Sequence, residues 1–402
     1  DSSMRYIEDL ITQLSPGDRV FLRADLNVPL ANGKITDANR IEAILPTLRR
    51  LLDQGVVILM ATHLGRPKGH DSRWSTAPIA RVLHSDFDIP IEHVEEFPPG
   101  EAVKNALDAA SDGSVLLLEN LRFDPREKAN DLDFAQGLVR HCKYYVNDAF
   151  GCCHRSHASV SAAASILPAF SGFLIQKELE ILTEIRDSPK RPFWVIAGGA
   201  KVKDKMGVLA QLGPQLDGVV CTGGLANTLL AGEGIDVGAS RTEPDTLSAV
   251  KELLSGGPEP VLPVDFVAGD DLEHPSEVVS IQAGDPVPEH LSFFDIGEKS
   301  LDHIKSRLQS AQTIFWNGPA GVFETTEYSN GTREIARFLA HHAGRVVVGG
   351  GDSAAAVRQL QISDRFHHVS TGGGASLEFL EGRTLPGLEA LSKSCRQDNE
   401  CT

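Results

Sequence analysis

Residues 18–24 (DRVFLRA) and 56–61 (VVILMA) flank a helical pattern at residues 37–52, and this arrangement decides the fold class. Both flanking segments are short, largely apolar runs, as is typical of strands buried on both faces of a sheet. A strand, a helix and a second strand in this order predict a β-α-β unit whose strands run parallel. The first half of the chain is therefore expected to be an α/β domain.

The same alternation continues through the rest of the chain. Further apolar runs predict strands at residues 115–118, 144–146, 193–197, 218–221, 261–264, 313–315, 346–348 and 368–370. A chain of 402 residues exceeds the size at which one hydrophobic core usually stops growing. We therefore expect two α/β domains, each built on a doubly wound parallel sheet.

Residues 172–187 (GFLIQKELEILTEIRD) connect the two halves and carry apolar residues at a helical spacing. A flexible linker would instead be rich in Gly and Ser. We expect a first domain at residues 1–171, a connecting helix at residues 172–187 and a second domain at residues 188–380. Because ligands of open α/β sheets bind beyond the carboxyl ends of the strands, two such domains facing each other would enclose a cleft.

The net charge and the distribution of apolar residues exclude some classes of binding partner. A formal net charge of −17 argues against nucleic acid or an anionic membrane as the main partner, since both would repel the protein. No run approaches the length of about 20 apolar residues that a membrane-spanning helix needs. The first residues also lack the layout of a secretion signal. We therefore expect a cytoplasmic protein whose partners are small molecules.

Six cysteines are too few for a disulfide scaffold in a chain of this length. The group that most resembles a metal site consists of Cys152, Cys153, His154 and His157. Adjacent cysteines do not easily ligate one ion, and no second pair follows at zinc-finger spacing. We expect no metal at this group.

Arginine and histidine follow four successive strands of the first half. The segments are RADLNVP at residues 23–29, THLGRP at 62–67, NLRF at 120–123 and NDAFGCCHRSH at 147–157. A single arginine at a strand end is usually solvated, but the repeated placement favours a binding site because guanidinium groups bind phosphate and carboxylate bidentately. Asp25 and Asn27 have the chemistry to bind a hydroxyl group. The predicted ligand is small, anionic and hydroxylated, with Arg40 near the mouth of its site.

Four glycine-rich segments follow strands of the second half and open helices. They are GGAK at residues 198–201, GGLAN at 223–227, GGGDS at 349–353 and TGGGASLE at 371–378. Glycine lets backbone N–H groups approach a phosphate, and the positive end of the following helix favours the anion. One such turn alone is more often structural than functional, but four in one half of the chain indicate a polyphosphate ligand.

Charged residues beside these segments suit a nucleotide. Lys201 and Lys205 are four residues apart, so on a helix both would project from one face toward phosphate oxygens, although a solvated helix start has the same charge pattern. Asp352 has the position and charge to hold Mg²⁺, which prefers oxygen ligands. In WNGPAGVFE at residues 316–324, Glu324 suits a ribose hydroxyl.

These residues favour phosphoryl transfer by positioning and electrostatics, without a general base if the nucleophile is already ionised. The chain has no GxxxxGK[ST] phosphate loop, no GxSxG nucleophile elbow and no GxGxxG segment that follows a strand. Two alternatives stay open. A dehydrogenase that binds NAD is suggested only by the doubly wound domains, and a non-catalytic nucleotide sensor would close on ADP without turnover.

The chain resembles the phosphoglycerate kinase family from about residue 18 to residue 391. The segments RADLNVP, THLGRP, ENLRF, DAFGCCHRSHAS, GGAKVKDK, WNGPAGVFE, GGGDS and STGGGASLEFLEG occur in the family's order. The resemblance implies two Rossmann-like domains joined by a helix and hinge. It also implies the reaction of 1,3-bisphosphoglycerate with ADP to give 3-phosphoglycerate and ATP, with Mg²⁺ as cofactor and a monomeric protein.

The resemblance also implies roles for individual residues. Phosphoglycerate would be bound by Asp25, Asn27, Arg40, His63, Arg66, Arg122 and Arg155. The transferring phosphoryl group would be stabilised by Arg40, Lys201, Lys205 and the amides of Gly373 and Gly374. The Mg-nucleotide would be held by Gly223, Gly224, Glu324, Gly350, Gly351, Asp352 and Ser353. From the segments above we add Arg23 to the substrate set and Asn317 and Lys205 to the nucleotide set.

Departures from the family pattern are few. They are Thr62, the Cys152-Cys153 pair, Glu298 and Ala320, and none replaces a charged residue of the expected sites. In the family the chain end returns to the first domain, so residues from about 381 to 402 are expected to pack there.

Overall fold

The computed structural model describes residues 3–398 of the chain and divides them into two compact units. The first unit contains the described residues up to Glu180 together with those from Thr384 onward. The second unit contains Ile181–Arg383. The long helix between the predicted domains therefore has residues in both units.

The described residues form sixteen strands in chain order. They are β1 Arg19–Arg23, β2 Leu30–Ala31, β3 Lys34–Ile35, β4 Val57–Ala61, β5 Ile91–Val94, β6 Ser114–Leu118, β7 Tyr144–Asn147, β8 Ala169–Ser171, β9 Phe193–Ala197, β10 Gly218–Cys221, β11 Asp265–Gly269, β12 Val278–Gln282, β13 Ser292–Ile296, β14 Thr313–Asn317, β15 Arg345–Gly349 and β16 His368–Val369.

The same residues form fourteen α-helices. They are α1 Ile7–Ile11, α2 Asn39–Leu52, α3 Ala77–Phe87, α4 Glu101–Ala109, α5 Leu132–Val139, α6 Phe173–Asp187, α7 Lys203–Leu212, α8 Gly223–Gly232, α9 Leu247–Leu254, α10 Glu298–Leu308, α11 Asn330–Ala340, α12 Gly351–Gln359, α13 Gly374–Leu380 and α14 Pro386–Gln397. Within residues 3–398, none of these helices has both the length and the hydrophobicity required to span a membrane.

The first unit is built on a six-stranded parallel sheet in the order β5-β6-β4-β1-β7-β8. The central strand β1 pairs with both β4 and β7, so that Arg23 lies opposite Ala61 on one side and Asn147 on the other. Helix α2 covers the sheet with a buried stripe at helical spacing that includes Ile41, Ile44 and Leu48. The loops after β1, β4, β6 and β7 therefore leave the sheet at one edge.

The second unit contains a five-stranded parallel sheet in the order β10-β9-β14-β15-β16. A separate three-stranded antiparallel sheet has the order β12-β11-β13. Large apolar side chains of the parallel sheet, including Trp316 and Ile314, are fully buried. The predicted fold class of two α/β domains with parallel sheets is confirmed.

One predicted strand is wrong. In the segment at residues 261–264, only Val261 makes a bridge, to Val220, and the regular strand begins later, at Asp265. Pro263 has no backbone N–H to donate to a neighbouring strand, which explains why pairing stops there. The sequence patterns also did not predict β5, β8 or the antiparallel sheet.

Helix α6 begins on the first unit with its backbone donors satisfied by other segments. The amides of Leu174 and Ile175 donate to Asp148 Oδ1, at 2.9 and 3.3 Å, and the amide of Phe173 donates to Thr47 Oγ1 at 3.1 Å. Gly172 precedes the helix and has no side chain that could cap it. The side chains of Asp148 and Thr47 therefore act as the N-terminal cap of α6.

The C-terminal helix α14 packs against β8 of the first unit. Ser394 Oγ accepts hydrogen bonds from Arg5 Nη2 at 2.9 Å and from the Ala169 amide at 3.0 Å. The amide of Gly387 donates to the Cys153 carbonyl at 2.8 Å. The buried Ser394 hydroxyl therefore links both ends of the chain to one strand.

We predict that Ser394→Ala lowers the free energy of unfolding of the first unit by about 1–3 kcal/mol, because the buried Ala169 amide loses this acceptor, whereas Arg5 Nη2 keeps its contact with Asp398. Urea unfolding and hydrogen exchange at residues 169–171 measure the effect. Ser306→Ala is the control, since Ser306 is also a helical serine but is exposed. Equal stabilities of the two variants would contradict this role of Ser394.

Candidate functional site

The loops after β1 and β4 are held together at the carboxyl edge of the first sheet. Arg40 Nη1 donates to Asp25 Oδ1 at 3.2 Å and to the Asn27 carbonyl at 2.9 Å. Asn27 Oδ1 accepts from the Gly65 amide at 2.8 Å, and Thr62 Oγ1 accepts from the Leu26 amide at 2.9 Å. Residues predicted to bind the substrate are thus brought together by their own hydrogen bonds.

A buried asparagine connects the loops after β4 and β6. Asn120 Oδ1 accepts from the amides of Leu64 and Arg122, at 3.1 and 3.0 Å. Its Nδ2 donates to the carbonyls of Leu64 and Trp74, at 2.6 and 3.0 Å. The Arg122 side chain donates to the Gly65 carbonyl at 2.7 Å. Asn120 was not a predicted site residue, and only its position after a strand could have pointed to it.

Arg23 lies at the centre of this edge and is only 1% exposed. Its Nε donates to Ser159 Oγ at 2.8 Å, its Nη2 lies 3.1 Å from His63 Nδ1, and its Nη1 donates to the Ala24 carbonyl. Each guanidinium nitrogen therefore has a protein partner. Arg23 therefore holds neighbouring residues in place through its hydrogen bonds, whereas the sequence suggested that it contacts the substrate directly.

The contact with Arg23 fixes the hydrogen-bonding role of His63. A guanidinium group can only donate, so His63 Nδ1 must accept and the ring proton lies on Nε2. Burial, together with the positive charges of Arg23 and Arg122, lowers the pKa of His63 well below its ordinary value. His63 is therefore a neutral imidazole with one N–H left for a ligand.

The remaining arginines at this edge face solvent to different degrees. Arg122 is half-buried and the Arg40 side chain is 39% exposed, while Arg66 and Arg155 are exposed. Among residues 3–398, no hydrogen bond or ion pair engages the guanidinium groups of Arg66 and Arg155. These side chains are available for an anionic ligand.

The ligand-type atoms of Asp25, His63 and Cys152 lie within 4.8 Å of one another. Burial raises the pKa of the Cys152 thiol to about 12, so it is protonated at neutral pH. The Arg23 guanidinium already occupies His63 Nδ1. A protonated thiol beside several guanidinium groups disfavours a cation.

The glycines of the second unit fall into two groups, and the first permits close backbone packing. A Cβ on Gly223 would lie 2.3 Å from the Gly199 carbonyl oxygen, and one on Gly318 would lie 2.3 Å from the Gly198 carbonyl oxygen. The Gly224 amide also donates to the Gly199 carbonyl at 2.9 Å. The loops after β9, β10 and β14 therefore touch through their backbones, and only glycine fits.

The second group of glycines lines open space. A Cβ on Gly351 or on Gly373 would meet nothing within 4 Å, and Gly373 has a φ of 51°. In the described part of the chain, no group accepts a hydrogen bond from the amides of Gly373 and Gly374. These positions do not need glycine for packing, which favours the approach of a ligand to the backbone.

Lys205 is a buried cation beside these loops. Its Nζ donates to Asn317 Oδ1 at 2.7 Å, and no described carboxylate pairs with it. Burial lowers the pKa of the Lys205 ammonium group to about 8, although the charges of Asp204 and Asp352 oppose this shift. Asn317 Nδ2 and Thr222 Oγ1 are buried and have no hydrogen-bond partner among the described residues. The pocket thus holds a positive charge and unused polar atoms.

The other predicted nucleotide residues have different positions. Lys201 is exposed and precedes α7, so the prediction that it shares a helix face with Lys205 is wrong. Ser353 Oγ donates to the Gly349 carbonyl at 2.9 Å and accepts from the Gly318 amide at 2.7 Å, which joins two loops. Glu324 and Asp352 are exposed. Gly350 has a φ of 90° and precedes α12.

We predict that His63 is still a neutral imidazole, with its proton on Nε2, at the pH where an ordinary histidine is half protonated, because burial and the adjacent guanidinium groups disfavour a second proton. NMR of histidine labelled with ¹⁵N measures this, and loss of the signal in His63→Gln assigns it. A titration of His63 near its ordinary pKa would contradict the geometry.

Comparisons with known proteins identify the family of the chain. The family model for phosphoglycerate kinase matches residues 9–383. A relative named phosphoglycerate kinase from Thermus thermophilus is 45% identical over 381 residues, which cover 93% of this chain and 97% of the relative. One from Corynebacterium urealyticum is 43% identical over 402 residues and covers 97% of this chain and 100% of the relative.

Solved structures show the same relationship. The phosphoglycerate kinase from Coxiella burnetii superposes with a TM-score of 0.83 at 34% identity and covers 95% of this chain and 98% of that one. The phosphoglycerate kinase from Pyrococcus horikoshii has a TM-score of 0.85 at 33% identity and covers 98% of this chain and 100% of that one. By sequence and fold, the chain belongs to the phosphoglycerate kinase family of phosphotransferases.

Proposed function

We propose that the protein catalyses the reversible transfer of a phosphoryl group from 1,3-bisphosphoglycerate to ADP, giving 3-phosphoglycerate and ATP, in glycolysis and gluconeogenesis. The observation that carries the proposal is the presence of two anion sites of different chemistry, one on each unit. The first consists of guanidinium and imidazole donors, and the second consists of open glycine amides and a buried lysine.

The first unit binds the phosphoglycerate. Arg66 and Arg155 supply exposed guanidinium groups for phosphate oxygens, and Arg122 supplies a half-buried one. The neutral His63 ring donates from Nε2. Asp25 is held by Arg40 and offers a carboxyl oxygen to a hydroxyl group of the ligand. This combination of positive donors and one acceptor suits a small phosphorylated hydroxy acid.

The second unit binds the nucleotide. Backbone at Gly350 and Gly351, at the start of α12, offers N–H groups to phosphate oxygens. Asp352 is an exposed carboxylate in this first helical turn, and an oxygen ligand of this kind fits Mg²⁺ that arrives with the nucleotide. When bound, Mg²⁺ neutralises phosphate charge. Glu324 is exposed on the loop after β14 and suits the ribose.

Transfer requires positioning and charge stabilisation and no general base. The attacking carboxylate of 3-phosphoglycerate is ionised at neutral pH, so no proton has to be removed from it. Charge on the transferring phosphoryl group is stabilised by Arg40, by Lys205 and by the amides of Gly373 and Gly374. We propose in-line transfer after the two units close on both substrates, which also excludes water that would hydrolyse the acyl phosphate.

A coupled assay with 3-phosphoglycerate, ATP and Mg²⁺ tests the activity directly. We expect turnover that depends on all three components. A folded protein that binds ADP but shows no turnover would overturn the proposal and favour the nucleotide sensor. Binding of NAD without binding of ADP would favour the dehydrogenase.

We predict that Arg40→Ala lowers kcat by roughly 10²–10³-fold, because it removes a charge-stabilising donor used in the transition state. The dissociation constant of ADP should not change, since Arg40 belongs to the first unit. The matched control is Arg50→Ala. Arg50 lies on the same helix and pairs with Glu8, so its replacement should leave kcat unchanged. An unchanged kcat in Arg40→Ala would remove Arg40 from the chemistry.

Lys205 gives a prediction that does not depend on turnover. Its pKa is about 8 in the free protein, and a bound phosphate raises it by favouring the charged form. Near pH 8, binding of ADP should therefore take up roughly half a proton. Calorimetry in buffers of different ionisation enthalpy measures this uptake.

The uptake should disappear in Lys205→Met and persist in Lys203→Met. Lys203 lies on the same helix but is exposed and pairs with Asp245. Equal uptake by the wild-type protein and Lys205→Met would show that another group takes up the proton.

A further inference from the structure

A buried carboxylate lies behind the substrate site, away from the strand ends. Glu127 is completely buried, as is Ser159. Glu127 Oε1 accepts from the Ser159 amide at 2.7 Å, and Oε2 accepts from the Ser159 hydroxyl at 2.6 Å. No motif that we associated with function contains Glu127, and it is too deeply buried to touch a ligand.

A chain of hydrogen bonds leads from Glu127 through Ser159 and Arg23 to His63. The Ser159 hydroxyl has a single proton, which it donates to Glu127 Oε2, so its oxygen accepts from Arg23 Nε at 2.8 Å. Arg23 in turn donates from Nη2 to His63 Nδ1 at 3.1 Å. Among the described residues no carboxylate contacts Arg23 directly, and the carboxyl group of Glu127 is connected to it through the Ser159 hydroxyl.

The orientation of Arg23 decides which nitrogen of His63 carries the proton. With Arg23 in place, Nδ1 accepts and Nε2–H is the ring's donor. Without it, Nδ1 is free to carry the proton and to donate toward Cys152 Sγ, which lies 3.8 Å away, or toward Asp25. Nε2 would then present a lone pair, which repels an anionic ligand.

We propose that Glu127 and Ser159 are positioning residues of the substrate site, which act through Arg23 to hold His63 in the Nε2–H tautomer. The proposal rests on the proposed function, because it assigns the tautomer a role in binding phosphoglycerate. It adds two residues that touch neither substrate nor nucleotide and that lie more than thirty positions apart in the sequence.

The test combines Ser159→Ala and Glu127→Gln with two readouts. The ¹⁵N signals of His63 report the tautomer, and steady-state kinetics report KM for 3-phosphoglycerate and for Mg-ATP separately. In Ser159→Ala we expect a population with the proton on Nδ1 and a KM for 3-phosphoglycerate raised roughly ten- to hundredfold, as for loss of one hydrogen bond to a charged group. The KM for Mg-ATP should not change.

Two comparisons separate positioning from a general structural effect. Ser165→Ala is the control, since Ser165 is an exposed serine in the neighbouring segment. In a double-mutant cycle, Ser159→Ala should have little further effect on 3-phosphoglycerate binding once His63 is replaced by alanine. A full additional loss in that background would overturn the proposal, because Ser159 would then act through something other than His63.

The wild-type protein alone can also overturn the proposal. If its His63 carries the proton on Nδ1, the proposed chain of hydrogen bonds is wrong, whatever the stability of the variants. Glu127→Gln keeps the size of the side chain and removes its charge, so it serves if Ser159→Ala does not fold. Tautomer and binding of 3-phosphoglycerate are both measured by NMR without turnover, so an inactive protein that passes these tests would contradict the proposed function and not this assignment.

Discussion

The proposed substrate site of the first unit depends on the burial of one guanidinium group, that of Arg23 at the end of the central strand β1. Removing such a charge from water costs several kcal/mol unless it finds good partners. Arg23 finds them at the adjacent Ala24 carbonyl and on two other segments, at His63 and Ser159. The cost of burial is therefore coupled to the geometry of the site. If any of these segments moves, a buried charge loses a partner.

The two proposed anion sites would use different physical means of recognition. The first uses side chains, because guanidinium forks match phosphate and carboxylate oxygens in both charge and shape. The second uses backbone amides at helix starts, with Lys205 as a buried charge. This division suits the proposed substrates, since phosphoglycerate needs specific recognition of its hydroxyl and carboxyl groups, whereas a polyphosphate mainly needs dense positive potential.

Most strands of the two parallel sheets, and the residues at their carboxyl ends, were predictable from local sequence. A short apolar run predicts the strand, and the Arg, His or Gly residues that follow it mark its carboxyl end. The predictions that were wrong, and the features that were missed, depended on contacts between distant residues or on the effect of a single residue. Pro263 ended pairing in a run that otherwise has strand composition. The four-residue spacing of Lys201 and Lys205 suggested that both lie on one helix, but α7 begins at Lys203, two residues after Lys201. Neither the burial of Arg23 nor its support by Glu127 has a local signal, because Ser159 lies 136 positions from Arg23.

We propose that phosphoryl transfer requires the two units to close when both proposed anion sites are filled. Small-angle X-ray scattering tests this most directly, on the free protein, with 3-phosphoglycerate alone, with Mg-ADP alone and with both. We expect the radius of gyration to decrease when both ligands are present and to decrease less, or not at all, with either ligand alone. An unchanged radius of gyration with both ligands bound, in a preparation that turns over, would contradict it.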